Sequence, residues 1–140
     1  MKRYACAMAA LLLAPAMHAQ PTQLPADAAA FLDMIEDETG VKRLGGTFYG
    51  ILEEDDDITH VVPLAPDRDT FIQIACSGYC ETVFGEAFNG AGESIARTEA
   101  GSVEPVLVIP AGNGDRVSLL VSMVLCDDFD CPYLVQAFVR

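Results

Sequence analysis

The sequence predicts a mainly β fold: an antiparallel sandwich or barrel of about seven or eight short strands, preceded by one short helix. Three observations carry this expectation. From residue 47 onward, short apolar runs rich in Val, Ile, Phe and Thr recur along the chain. Turn-forming clusters of Gly, Pro, Asn and Asp separate them at regular intervals. The one segment with helical spacing, residues 26–39, precedes all the strands, which argues against alternating helices and strands.

The elements follow in order. Lys2 and Arg3 open the chain, an uncharged apolar run follows over residues 5–16, and small residues lead to Ala19 and Gln20. Charged start, short apolar stretch and small-residue exit form the pattern of a secretory signal peptide. The run is shorter than the roughly 20 residues that a membrane-crossing helix needs. Cleavage is expected after Ala19, with Ala16 as the alternative because Met17 is large for its position. Cys6 lies inside the run, so no lipid-anchoring cysteine is expected. The expected organisation is a signal peptide over 1–19, a tether and short helix over 20–45, and a disulfide-stapled β domain over 46–140.

In the helix, Ala28, Phe31, Leu32 and Ile35 make one apolar face and Gly40 supplies a stop. Its last turn is acidic, which opposes the helix dipole mildly. Strands are expected over residues 47–52, 58–64, 70–76, 82–88, 94–98, 103–109, 116–126 and 133–139. Asn89-Gly90 marks a hairpin. In the seventh strand, alternation places Val117, Leu119, Val121, Met123 and Leu125 on one face.

Charge narrows the partners. The whole chain has a formal charge of −13, and loss of the signal peptide removes two of its eight basic residues. Nucleic acid and anionic membrane surfaces are disfavoured, since both need clustered Lys and Arg. Solubility or a cationic partner fits such a balance. No membrane insertion is expected once the signal is removed.

Signal removal also takes Cys6, leaving Cys76, Cys80, Cys126 and Cys131. An even number of cysteines in an exported chain reads as disulfides. In a straight strand Cys76 and Cys80 would stand about 13 Å apart at ~3.3 Å per residue, so bridging them requires a turn at Gly78. Residues 127–130 look like a four-residue hairpin loop that brings Cys126 opposite Cys131. Local pairing is therefore expected, with links between the two pairs as the alternative. Loop entropy favours those longer links, by about 4 against about 2 kcal/mol. A four-thiolate zinc site and a redox-active pair are less favoured, because neither pair has two-residue spacing.

The stretch from about Phe48 to Phe138 resembles the bacterial pre-peptidase C-terminal domain group, in particular short exported proteins built on it. The resembling features are the strand at 71–76 with Cys80, the turn at 89–92, the Pro105–Pro110 run, and 121–123 leading to Cys126 and Cys131-Pro132-Tyr133. The resemblance implies a jelly-roll-like β-sandwich that accompanies secreted peptidases without catalysing, and assists secretion, localisation or binding. Family members often carry alternating aspartates after the second cysteine. Here Glu81-Thr82-Val83-Phe84-Gly85-Glu86 departs from that pattern, which puts the corresponding cation site in doubt.

Catalytic residues are sparse. His60 is the one histidine after the signal peptide, and it reads better as a strand-face polar residue than as a base or ligand. A serine triad would need His60 with Ser77, Ser94, Ser102, Ser118 or Ser122, without a nucleophile elbow. Paired carboxylates are abundant, yet nothing marks one pair for glycoside hydrolysis. Asp55, Asp56 and Asp57, and Asp127, Asp128 and Asp130, are weak calcium candidates with hard oxygen ligands. They lack the alternating spacing of a calcium loop, and solvated loops are the plainer reading.

The expected protein is an exported, non-enzymatic β-sandwich acting as a binding or accessory module in the periplasm or outside the cell. Its partner is expected to be a protein or polysaccharide, with no required cofactor. The alternatives are a small secreted hydrolase and a protease-inhibitor-like regulatory protein.

Overall fold

A computed structural model describes residues 24–99, 101–127 and 130–140. The expected signal peptide and Asp128 lie outside them. Helix α1 (Ala26–Thr39) begins after Pro25, with Asp27 in its first turn, and ends at Gly40. Gly40 adopts a left-handed φ of 71°, and its N–H donates to the Glu36 carbonyl, which closes the helix as a glycine cap does. Arg43, just beyond, accounts for part of the acidic surface. Its backbone N–H donates to Glu36 at 2.9 Å, and its guanidinium pairs with Asp33 and Glu36.

Eight strands follow: β1 (Lys42–Leu52), β2 (Asp57–Pro63), β3 (Thr70–Cys76), β4 (Cys80–Phe88), β5 (Ser94–Arg97), β6 (Val106–Ile109), β7 (Arg116–Cys126) and β8 (Cys131–Val139). They form two four-stranded sheets, β1-β8-β3-β6 and β2-β7-β4-β5, with every pairing antiparallel. This order is that of a jelly roll, the two-sheet form of the sandwich.

Strand pattern explains the sheet assignments. In β8, Tyr133, Val135 and Ala137 enter the core between the sheets. Leu134 and Phe138 point the other way and pack with Leu32, Val41 and Ala75 beneath α1. A strand apolar on both faces needs cover on both, and among the described residues only the first sheet has a helix outside it. In β7, inward Val117, Leu119, Val121 and Met123 alternate with half-buried Ser118, Leu120 and Ser122, which suits the second sheet, whose outer face no described helix covers. Leu32 is fully buried at the helix–sheet contact, a burial that contributes about 1.5–3 kcal/mol.

Two buried glutamines lie opposite each other on β3 and β8, Gln73 facing Gln136. Gln136 accepts from the Thr47 hydroxyl and donates to the carbonyls of Leu44 and Ala137, beside the bulge in β1. Gln73 donates to the carbonyls of Ile74 and Glu104. One acceptor of each amide, the carbonyl of Leu44 and that of Glu104, lies where the ladder is interrupted, so each buried amide also satisfies backbone there.

Several expectations change. Residues 127–130 do not close an in-sheet hairpin: β7 lies in one sheet and β8 in the other, so this loop crosses the end of the sandwich. Among the described residues, β4 and β5 are the only consecutive strands that pair in one sheet; their loop carries the Asn89-Gly90 signal, and Asn89 Oδ1 accepts from Ala91 and Glu93. Leu125 is not inward. A register shift against β4 leaves Val124 and Leu125 exposed and returns Cys126 to the interior. β1 begins at Lys42, ahead of the boundary expected at residue 46. Gly45, at φ 71°, interrupts its pattern, and a Cβ there would lie 2.7 Å from Pro63 Cγ. β6 begins only at Val106, because Pro105 has no N–H to donate.

Candidate functional site

The two disulfides define one end of the sandwich. Cys76 is bonded to Cys80, with Cα atoms 5.9 Å apart, and Cys126 to Cys131, at 6.1 Å. Each bond joins a strand of one sheet to a strand of the other. Cys80 faces Cys126 across β4 and β7, and Cys76 faces Tyr133 across β3 and β8. The four half-cystines therefore staple the sheets together at a single end.

Three loops meet there and are tied to one another. Asp127 N–H donates to the Tyr79 carbonyl at 2.9 Å, and Ser77 N–H to the Pro132 carbonyl at 3.0 Å. Asp55 N–H donates to Met123, and Met123 N–H to Asp56. The Glu54 carboxylate accepts from Cys126 N–H at 3.1 Å. Asp55 takes a left-handed φ of 65° in the first of these loops, a conformation that aspartate tolerates better than most residues.

Acids gather at this end. Glu53, Glu54, Asp55, Asp56, Asp57, Glu81, Asp127 and Asp130 are all exposed. Tyr79 projects among them at 65% exposure, with Leu125 nearby at 44%. A side-chain hydrogen bond to Asp127, and then the like charge of that neighbour, raises the Glu81 carboxyl above the usual carboxylate range. Among the described residues no Lys or Arg lies in these loops. Lys42, Arg43, Arg68, Arg116 and Arg140 sit at or near the opposite end, and Arg97 pairs in register with Glu86.

Both aspartate runs proposed as calcium ligands thus reach the same end, apart from Asp128, which is outside the described residues. Among the described residues no group of three or more His, Cys, Asp or Glu side chains is placed to hold a metal ion.

His60 is a polar residue on the inward face of β2, opposite buried Leu119. It points between the sheets, stacks on Phe48 with ring centroids 4.5 Å apart, and lies 2.9 Å from the Tyr133 hydroxyl through Nε2. Burial lowers the His60 pKa and raises that of Tyr133, so both side chains are neutral at neutral pH. Gly50 makes room for this pair, since a Cβ there would stand 2.9 Å from the Tyr133 ring. The candidate serines are placed otherwise. Ser94 donates to Glu86, Ser102 accepts from Glu104 N–H, and Ser77 belongs to the stapled end.

A groove of about 190 Å³ opens beside the stapled end, between the first turns of α1 and the outer face of the first sheet. Sequence reasoning found neither this groove nor the exposure of Tyr79. The one available signal for Tyr79 was an aromatic residue set between two half-cystines and next to a glycine.

No family model matches the chain, and no curated protein matches it. Among solved structures, it is similar to the crystal structure of Aeromonas hydrophila PliG, a periplasmic lysozyme inhibitor of g-type lysozyme. The match has 15% identity and a TM-score of 0.43, and covers 66% of this chain and 84% of that one. A likeness this shallow decides nothing about the function of this chain.

Proposed function

We propose that the chain is an exported, non-enzymatic binding module that docks a basic protein through its disulfide-stapled end. The observation that carries this reading is the coincidence at one end of three features: an all-acidic set of loops, two cross-sheet disulfides beneath them, and an exposed tyrosine among them. Rigid loops lose little entropy on binding. An aromatic anchor supplies apolar contact. A single-sign field steers an oppositely charged partner. The resemblance to pre-peptidase C-terminal domains is carried into this proposal as an accessory role, and the export pattern of residues 1–19 supports a site of action in the periplasm or outside the cell.

The reading is tested by affinity capture from envelope extract, comparing the native chain with a Glu53→Gln/Asp57→Asn/Asp127→Asn variant and with Tyr79→Ala. The native bait is expected to retain a protein of high isoelectric point that is released by salt. Both variants are expected to lose most of it. Capture that is equal for all three baits, or of acidic proteins alone, would sink the proposal.

A further inference from the structure

The groove beside the stapled end has a chemistry of its own. Apolar and aromatic residues line it, Ala28, Phe31, Tyr49 and Leu134 among them, and the acidic residues Asp27 and Glu104 belong to the same lining. Asp27 comes from the first turn of α1, and Glu104 from the segment before β6. Two elements distant in sequence thus bring negative charge to one apolar slot. Among the described residues, no Lys or Arg lines it.

Size limits the occupant. About 190 Å³ falls below the roughly 300–1,000 Å³ of pockets that hold drug-sized molecules. It suits one long side chain. A chain with an apolar stem and a cationic head matches both parts of the lining: the stem lies along the aromatic and aliphatic walls, and the head reaches the carboxylates.

Position supplies the source. Ser77 and Pro132 also line the groove, and these two residues are hydrogen-bonded to each other in the stapled end. A protein seated on the acidic loops therefore has the groove at its margin. We infer that the groove receives one arginine or lysine side chain of the basic partner, as a specificity pocket alongside the acidic end. The inference rests on the proposed docking function for the source of that side chain, and on the groove alone for its chemistry.

The test needs no partner. N-acetyl-arginine methylamide is titrated into the full folded domain while backbone amides are followed by NMR, with the citrulline analogue as its neutral isostere. The arginine probe is expected to shift the amides of Ala28, Phe31, Ala75 and Ser77. The citrulline probe should bind roughly three- to tenfold more weakly, the range for two exposed ion pairs. Asp27→Asn/Glu104→Gln should erase that preference; both positions are exposed and both changes are isosteric. Ala28→Leu, a good helix former that fills the slot, should abolish the shifts from both probes.

Equal binding of the two probes, or shifts located away from the groove, overturns the inference. That failure leaves the docking proposal to its own variants in the acidic loops. Loss of capture from those variants, with arginine binding absent from the groove, would uphold docking alone. Arginine binding in the groove without any capture would remove the protein as its source.

Discussion

The two ends of this sandwich are held by different chemistry. At one end, three loops are pinned by two disulfides and carry only acidic charge. At the other, hydrogen bonds hold the loops. Leu64 N–H donates to the Asp115 carbonyl and Gly112 N–H to that of Pro66. Ala111 N–H donates to the Asp69 side chain at 3.0 Å, and Ala65 N–H to the Thr70 hydroxyl at 2.9 Å. Charges of both signs meet there, as in Arg68 with Asp67 and Arg116 with Asp115. Those ion pairs join neighbours in sequence, so the links between loops at that end are hydrogen bonds. The stapled end adds covalent tethers to loops of a single charge sign. The comparison predicts that the tethers hold like-charged loops side by side against their repulsion.

The strongest way to break this comparison is to remove the tethers. Cys76→Ala/Cys80→Ala and Cys126→Ala/Cys131→Ala are each expected to cost about 2 kcal/mol from loop entropy, and about 4 together. Urea unfolding measures this. Untethered loops can spread and relieve their repulsion, so the loss should be smaller at low salt than at about 0.5 M, where the Debye length is only a few ångströms. A loss independent of salt would show that repulsion is not what the bonds oppose.

Leu32→Ala tests a region belonging to neither end. Emptying the helix–sheet contact should cost roughly 2–5 kcal/mol. Because no charge changes, its salt dependence should match that of the native chain. Asp69→Ala addresses the hydrogen-bonded end. It removes the acceptor of Ala111 N–H and should cost about 1 kcal/mol, without disturbing binding at the stapled end.

The smallest expected effects are those of pH, and the two regions differ in sign. Glu81 has its pKa raised in the folded state, so the folded chain binds its proton more tightly than the unfolded one. Its contribution to stability is present below the unfolded carboxylate value and is lost as pH rises through the raised value; Glu81→Gln should remove that slope. His60 has its pKa lowered by burial. Its neutral form stabilises the fold above the unfolded value near 6.5, and that stability declines as pH falls below it. His60→Phe should flatten this second slope. Melting temperature followed from pH 4 to pH 8 separates the two.

Much of the fold is legible residue by residue. The helix bounds, the strands at 70–76 and 116–126, and the hairpin at Asn89-Gly90 follow from periodicity and turn chemistry. The misplaced elements share one cause. Leu125 faces outward, β1 begins early and β6 begins late because register shifts, a bulge and a proline break the strict alternation on which a reading of single strands relies. The candidate site was less legible. Its acids and cysteines were visible as separate runs, at 53–57, 76–81 and 126–131, with nothing local to say that they share one end. The sequence leaves open which face of its strand His60 takes, because its neighbours, Phe48 and Tyr133, come from two other strands.

By itself the sequence determined most of the shared strand faces, the bounds of the helix and of several strands, that the charge is acidic, and that four cysteines lie in two close pairs beyond residue 70. Only the tertiary structure decided which sheet each strand entered and that the acidic loops and both disulfides converge on one end. The physical reason is that side-chain alternation is a local property of one strand. Strand partnership is made by backbone groups that are nearly the same at every position, so the choice among partners is settled by which faces can be buried together.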